Sequence, residues 1–298
     1  MTNERSLKAV AFGEVLWDVF SDQKKIGGAP LNVALRMKSL GAEVTMISSV
    51  GNDQDGQEII NWVKNSGLDT DTIMQSKDFP TGLVKVILDK QGSASYEIAY
   101  PSAWDKIVLD DKARDSVAAA DVLIYGSLVG RDEISRNALV ELLAMDVYKV
   151  FDVNLRKPHY SYEILEQFMK PADCIKFNDD EIIEIAAALQ SPFKSLEENM
   201  QFIAEKTNAA SICVTKGKDG ALLLWKGKVY NNAGYPVEVA DTVGAGDSFL
   251  ASLITLLLTG KAPQEALDYA CAIGALVAQS HGANPQIASS EIEKMMLR

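Results

Sequence analysis

The sequence predicts an α/β fold: a central, mostly parallel sheet with helices on both faces, plus a small β lid. Three observations carry that expectation. Short β-rich runs alternate with helical periodicity nearly throughout, the pattern of a parallel sheet wrapped by helices. The chain has 298 residues, 47% of them hydrophobic, which is ample for one full core. Two stretches break the alternation and read as extended pieces outside the main sheet. One domain spanning 1–298 accommodates all three.

Taken in order, Ala9-Val10-Ala11-Phe12 reads as the first strand and 15–20 as a short extended piece. A helix follows over 30–40, then a strand over 44–50 and a helix over 56–65. Residues 83–88 and 94–99 form a candidate antiparallel hairpin around Asp89-Lys90-Gln91-Gly92. Strands at 122–125, 147–153, 174–177 and 211–215 alternate with helices near 132–145, 161–169, 179–189 and 195–206. Thr215-Lys216-Gly217-Lys218-Asp219-Gly220 reads as a tight turn into a further strand, 221–225. Parts of 15–27 and 83–100 would make the lid. Ligands of such a sheet bind at the carboxyl ends of its strands.

Composition removes several function classes. The net charge of −12 argues against a nucleic-acid footprint. Cys174, Cys213 and Cys271 lie far apart and read as packed, reduced thiols. With only His159 and His281, a Cys/His zinc cluster is excluded. The N-terminus lacks the apolar core of a signal peptide, and the longest apolar run, 250–258, is too short to span a bilayer. A cytoplasmic protein without a membrane partner is expected.

The run Asp241-Thr242-Val243-Gly244-Ala245-Gly246-Asp247 stands before an apolar helical stretch, 248–258. A glycine-rich turn at a helix N-terminus exposes backbone N–H groups, a ready anion site. Asp247 alone would be an ordinary first-turn acid, favoured by the helix dipole. The flanking glycines leave room for a ligand against bare backbone. An acid inside an anion site makes sense as a base that takes a hydroxyl proton while the N–H groups hold a phosphoryl group. The run is not a dinucleotide fingerprint, because Phe249 stands where a third glycine belongs. No Walker A sequence and no protein-kinase signature set is present. Gly27-Gly28-Ala29-Pro30-Leu31-Asn32-Val33-Ala34 is by itself ordinary helix-entry chemistry.

Together, Gly27 to Ala34 and Asp241 to Asp247 resemble the two signatures of the PfkB-type, or ribokinase-like, carbohydrate kinases, and Glu14-Val15-Leu16-Trp17-Asp18 resembles the opening of bacterial fructokinases in particular. The stretch Gly51-Asn52-Asp53-Gln54-Asp55-Gly56 is similar to that family's GxDxxG segment. The resemblance implies a sugar and ATP as the small-molecule partners, Mg²⁺ as cofactor and lids that pair in a homodimer. It implies Asp247 as general base, with the N–H groups of Gly244, Ala245 and Gly246 on the transferring phosphoryl group. It places Asp18, Gly28 and Asn32 at the sugar. Asn178-Asp179-Asp180-Glu181 matches the NxxE element, which orders Mg²⁺ through water by Asn178 and Glu181; the same spacing is a helix capping box. Thr215, Gly217 and Gly220 would border the nucleotide.

Many relatives bind a monovalent cation through the acid that opens the run, here Asp241, and a later Gly-Ala-x-x-Ser. This chain has Gln286 where that serine stands, so potassium is an open expectation. Asp152-Val153-Asn154-Leu155-Arg156 and Pro101-Ser102-Ala103-Trp104-Asp105 resemble fructokinase segments, which adds Arg156 and Trp104 to the expected sugar contacts. Few cations converge on the expected pocket, which favours a neutral sugar. The expectation is transfer from ATP to O6 of D-fructose. Ribokinase and 2-keto-3-deoxygluconate kinase are the alternatives, with a catalytically inactive sugar binder from another class.

Overall fold

The computed structural model describes residues 6–88 and 94–297. The expected turn at Asp89 to Gly92 lies outside the described residues. Strands are β1 (Lys8–Phe12), β2 (Leu16–Val19), β3 (Lys24–Gly27), β4 (Glu43–Gly51), β5 (Ile73–Ser76), β6 (Gly82–Leu88) and β7 (Ala94–Ile98). The series continues with β8 (Val122–Gly126), β9 (Tyr148–Asp152), β10 (Cys174–Asn178), β11 (Ser211–Thr215), β12 (Ala221–Trp225) and β13 (Lys228–Asn232). Helices are α1 (Ala29–Ser39), α2 (Gln54–Asn65), α3 (Asp111–Ala118), α4 (Glu133–Leu143) and α5 (Tyr162–Met169). They continue with α6 (Asp179–Ala188), α7 (Leu196–Thr207), α8 (Ala245–Leu258), α9 (Pro263–Ala278) and α10 (Ser289–Met296).

The main sheet runs in the order β13-β12-β11-β10-β9-β8-β1-β4-β5. From β11 to β5 every pairing is parallel; β12 and β13 add an antiparallel edge. Alternate residues of each central strand feed opposite faces. Val10, Phe12, Leu123, Tyr125, Phe151, Ile175 and Phe177 pack under α3 to α7, whereas Ala9, Ala11, Val122, Ile124, Val150 and Cys174 face α1, α2 and α8. Burial on both faces explains the continuous apolar runs of these strands. All three cysteines are buried free thiols. Among the described residues, no helix is long and apolar enough to cross a membrane.

A second sheet has the order β3-β2-β6-β7. The expected extended piece and the expected hairpin therefore meet, through parallel pairing of β2 with β6. Its strands leave the main fold at two roots. One is Gly13 to Val15, directly after β1. The other is Thr81, tied to Asp53 at the N-terminus of α2.

Asp53 explains the GxDxxG stretch. Its carboxylate accepts hydrogen bonds from Gly56 N (2.8 Å), Thr81 N (2.9 Å) and Thr81 Oγ1 (2.6 Å). It caps α2 and anchors the start of β6. Asp53→Ala is expected to destabilise the protein by about 1–2 kcal/mol, the cost of a lost N-cap, read in chemical denaturation. An unchanged denaturation midpoint would contradict the anchoring role.

Candidate active site

The parallel strands end on one side of the sheet, and the small sheet stands over that side. Two cavities lie there. The first, about 340 Å³, is lined by Glu14, Leu16, Asp18, Lys25, Gly28, Asn32, Leu128, Asn154, Arg156 and Lys176, and by Asp241 to Gly244, Gly246, Asp247, Gly282 and Ala283. Its roof carries Phe20, Val84, Val86 and Ile98 from the small sheet and its loops. The second, about 240 Å³, is lined by Thr215, Gly217, Lys218, Gly220, Tyr235, Val237, Val239, Phe249, Cys271 and Ala275 among others. Thr242 and Gly246 line both, so the cavities meet at the start of α8.

Local chemistry builds that meeting point. Gly244 caps α8 with φ of 78°, a left-handed conformation natural to glycine. A Cβ there would lie 2.5 Å from the Ala283 backbone. Asp241 shapes the preceding turn: Oδ1 accepts from Val243 N (3.0 Å) and Oδ2 from Gly282 N (3.2 Å). The Ala245 N–H donates to the Thr242 carbonyl (3.3 Å). That corrects one sequence expectation, since this N–H closes the turn rather than pointing at a ligand. Gly246 and Asp247 then supply first-turn N–H groups without intrahelical partners, together with the positive end of the helix dipole.

Asp247 is half-buried in the first turn of α8. Asn32 Nδ2 donates to its Oδ2 at 2.8 Å, and Asn284 Nδ2 donates to Asn32 Oδ1 at 2.9 Å. Arg36, also on α1, holds the loop of Asn284 through Pro285 O (3.0 Å) and holds α8 through Ser248 Oγ (3.2 Å). Helices distant in sequence thus fix one carboxylate. Burial pushes Asp247 up to about 6, and Asp152 adds to the rise; Asn32, Lys176 and Arg156 oppose it. Asn32→Ala removes one opposing influence. It is expected to move the acidic limb of the kcat–pH profile upward and to lower kcat; a limb at the wild-type position would contradict the contact.

On the lid side, Asp18 sits on β2. Burial raises it to about 6, against the charges of Arg156 and Lys25. Arg156 is exposed at the cavity rim and donates to the Leu155 carbonyl (3.0 Å). Asn154 has φ of 37°, an uncommon conformation for a non-glycine residue and one that recurs at functional sites. Gly28 has φ of 113°, and a Cβ there would meet the Glu14 carbonyl oxygen at 2.3 Å. Only a bare backbone lets the strand β1 exit pack against the start of α1.

Two further expectations are corrected or sharpened. Trp104 does not line either cavity. It is fully buried, with the Arg131 guanidinium 4.1 Å from its ring centre and Gly82 against its indole N–H, so it packs the root of the lid. Asn178 and Glu181 form a full capping box on α6. Glu181 accepts from Asn178 N (2.8 Å) through Oε2 and from Leu155 N (2.8 Å) through Oε1, fastening the β9 exit to the β10 exit. Neither residue lines either of the two cavities described above.

Sequence reading missed Lys176. It lies in the apolar strand β10, its side chain is 8% exposed, and its Nζ is 2.9 Å from Asp152 Oδ1. A Cβ on Gly246 would sit 3.4 Å from that Nζ, which puts the ammonium under the α8 turn. Burial alone would lower its pKa; the carboxylates of Asp152, Glu181 and Asp247 outweigh burial and raise it. A lone lysine in a strand otherwise apolar, two residues before a helix cap, was the available signal.

Two cavities joined at a helix N-terminus suit group transfer between two bound substrates, and the mostly parallel sheet flanked by helices matches the ribokinase-like fold. The pfkB family carbohydrate kinase model matches residues 1–289, and the chain belongs to that family. It is a sugar kinase, a phosphotransferase. The chain is 30% identical over 283 residues to the sugar kinase PH1459 of Pyrococcus horikoshii, covering 90% of this chain and 85% of that one. It is 28% identical to the fructokinase of Escherichia coli, over 93% of this chain and 95% of that one. The structure of PH1459 in complex with ATP superposes with a TM-score of 0.83 at 26% identity, over 97% of this chain and 99% of that one.

Proposed function

We propose that this sugar kinase transfers the γ-phosphoryl group of ATP to O6 of D-fructose. The observation that carries the reading is the junction of the two cavities at Gly246, with Asp247 on the first side only. The acceptor lies in the first cavity, among Asp18, Gly28, Asn32 and Arg156. The nucleotide lies in the second, with its base among apolar and glycine residues near Thr215, Gly217 and Gly220. Likeness to the E. coli fructokinase supports the sugar, and likeness to the ATP complex supports the donor.

The chemistry follows from charge. Phosphoryl transfer needs alignment and neutralisation more than covalent help. Asp247 takes the hydroxyl proton as O6 attacks. Gly246 N–H, Asp247 N–H and Lys176 Nζ face the equatorial oxygens, where negative charge accumulates. The apolar roof residues Val84 and Val86 exclude water that would otherwise accept the phosphoryl group.

Among the described residues no cluster of three ligating acids or histidines occurs. Glu181 already accepts two backbone N–H bonds, so Mg²⁺ would be held chiefly by the nucleotide phosphates and water, with Asn178 and Glu181 behind it. The metal's part would be neutralisation of phosphate charge. Asp241 has both oxygens engaged by loop N–H groups, so we assign it to shaping the turn. Each of these oxygens keeps a lone pair, so a potassium ion beside the turn is compatible with that assignment, and no step of the proposed mechanism depends on one.

Coupled ADP-release assays across D-fructose, D-ribose, 2-keto-3-deoxygluconate and nucleosides test the reading. Fructose should give the highest kcat/KM, with fructose 6-phosphate as product. A preference for the keto acid or for ribose would overturn the fructose assignment.

A further inference from the structure

Glu14 follows β1 at the carboxyl end of the sheet. It is only 4% exposed and yet lines the first cavity. Its Oε2 is buried and has no hydrogen-bond partner. Few buried polar groups go unpaired in a native protein, and each such case calls for a cause. Burial pushes Glu14 up to about 7; its own N–H, Arg156 and the Ala29 N–H pull it down, and Asp247 pushes it up. Ala29 opens α1, so part of the role of Glu14 is to hold the start of the helix that carries Asn32. That part leaves Oε2 unexplained.

Glu14 lines the cavity beside that oxygen, and the acceptor of a sugar kinase brings several O–H donors there. We propose that Glu14 Oε2 accepts a hydrogen bond from a hydroxyl of the acceptor sugar, which makes Glu14 an acceptor-binding residue. The proposal rests on the sugar-kinase reading of this cavity. A carboxylate placed here also disfavours an acidic sugar, because two like charges would share a desolvated site.

The test compares wild type, Glu14→Gln and Glu14→Ala by ADP release with D-fructose and its 1-, 3- and 4-deoxy analogues. A charge-assisted hydrogen bond lost at one hydroxyl should raise KM in Glu14→Ala roughly 10- to 100-fold, with kcat changed far less. Glu14→Gln, of equal shape and with a neutral acceptor oxygen, should recover part of the loss. One deoxy analogue should be penalised in wild type and not in Glu14→Ala, because the two changes delete the same contact. If Glu14→Ala fails to fold, the same comparison in Glu14→Gln decides, with a reduced rather than abolished penalty. KM within about twofold of wild type in the folded variants would overturn the proposal, and so would equal deoxy penalties in all proteins. Wild-type protein that turns over no sugar overturns the proposed function itself, and the role of Glu14 falls with it.

Discussion

Asp247→Asn is expected to lower kcat by about 10²–10⁴-fold, the usual contribution of a positioned general base. Acceptor binding should persist, because asparagine fills the same space and its side-chain oxygen still accepts from Asn32 Nδ2. Wild-type kcat should fall as pH drops through about 6, since burial raises Asp247 to that value and only the ionised carboxylate takes a proton. The variant should lose that limb. Coupled ADP-release kinetics between pH 5 and 8 measure both. Near wild-type turnover, or an unchanged acidic limb, would contradict the assignment of Asp247 as base.

Lys176→Met is expected to cost about 3–5 kcal/mol of stability, because it leaves Asp152 buried and uncompensated. Asp152 Oδ2 already has no partner, so nothing else is placed to absorb the charge. The variant should also lose activity, since in the proposed mechanism the ammonium under Gly246 neutralises charge on the transferring group. Stability and catalysis separate in a double variant. Adding Asp152→Asn to Lys176→Met removes the orphaned charge and should restore most of the denaturation midpoint while leaving turnover low. Recovery of full activity in the double variant would show that Lys176 serves only the ion pair.

Alternation of β-rich and helical stretches made the parallel sheet legible, because strands buried on both faces must be apolar in successive positions. Residues 122–126, 148–152, 174–178 and 211–215 fall within a residue or two of the strands read from the sequence. The lid was half legible. Its hairpin showed as two extended runs around a turn sequence, but the parallel pairing of β2 with β6 joins segments more than sixty residues apart, which no local pattern records. The strands β5 and β13 lie at the two edges of the sheet, and edge strands carry weak patterning.

At the site, Asp247, Gly244, Gly246, Asn32, Asp18 and Arg156 were legible and are brought together. Trp104 was misplaced because an aromatic after a hairpin suits a pocket wall and a core equally, and only packing against Arg131 and Gly82 distinguishes them. Asn178 and Glu181 have one spacing for two roles, and the structure shows the cap. Lys176, Glu14 and Asn284 were given no role from the sequence. Each owes its importance to a neighbour remote in sequence: Asp152 and Gly246 for Lys176, the cavity for Glu14, Asn32 for Asn284.

The sequence by itself determined that this chain builds a parallel sheet and a glycine-rich helix start with an acid in its first turn, since backbone propensity, glycine and a first-turn carboxylate are local properties. Tertiary structure alone decided which charges face that acid and how far they move its pKa. Burial and Coulomb interactions depend on distance through space, and the helix α1 that holds Asp247 comes from more than two hundred residues earlier in the chain.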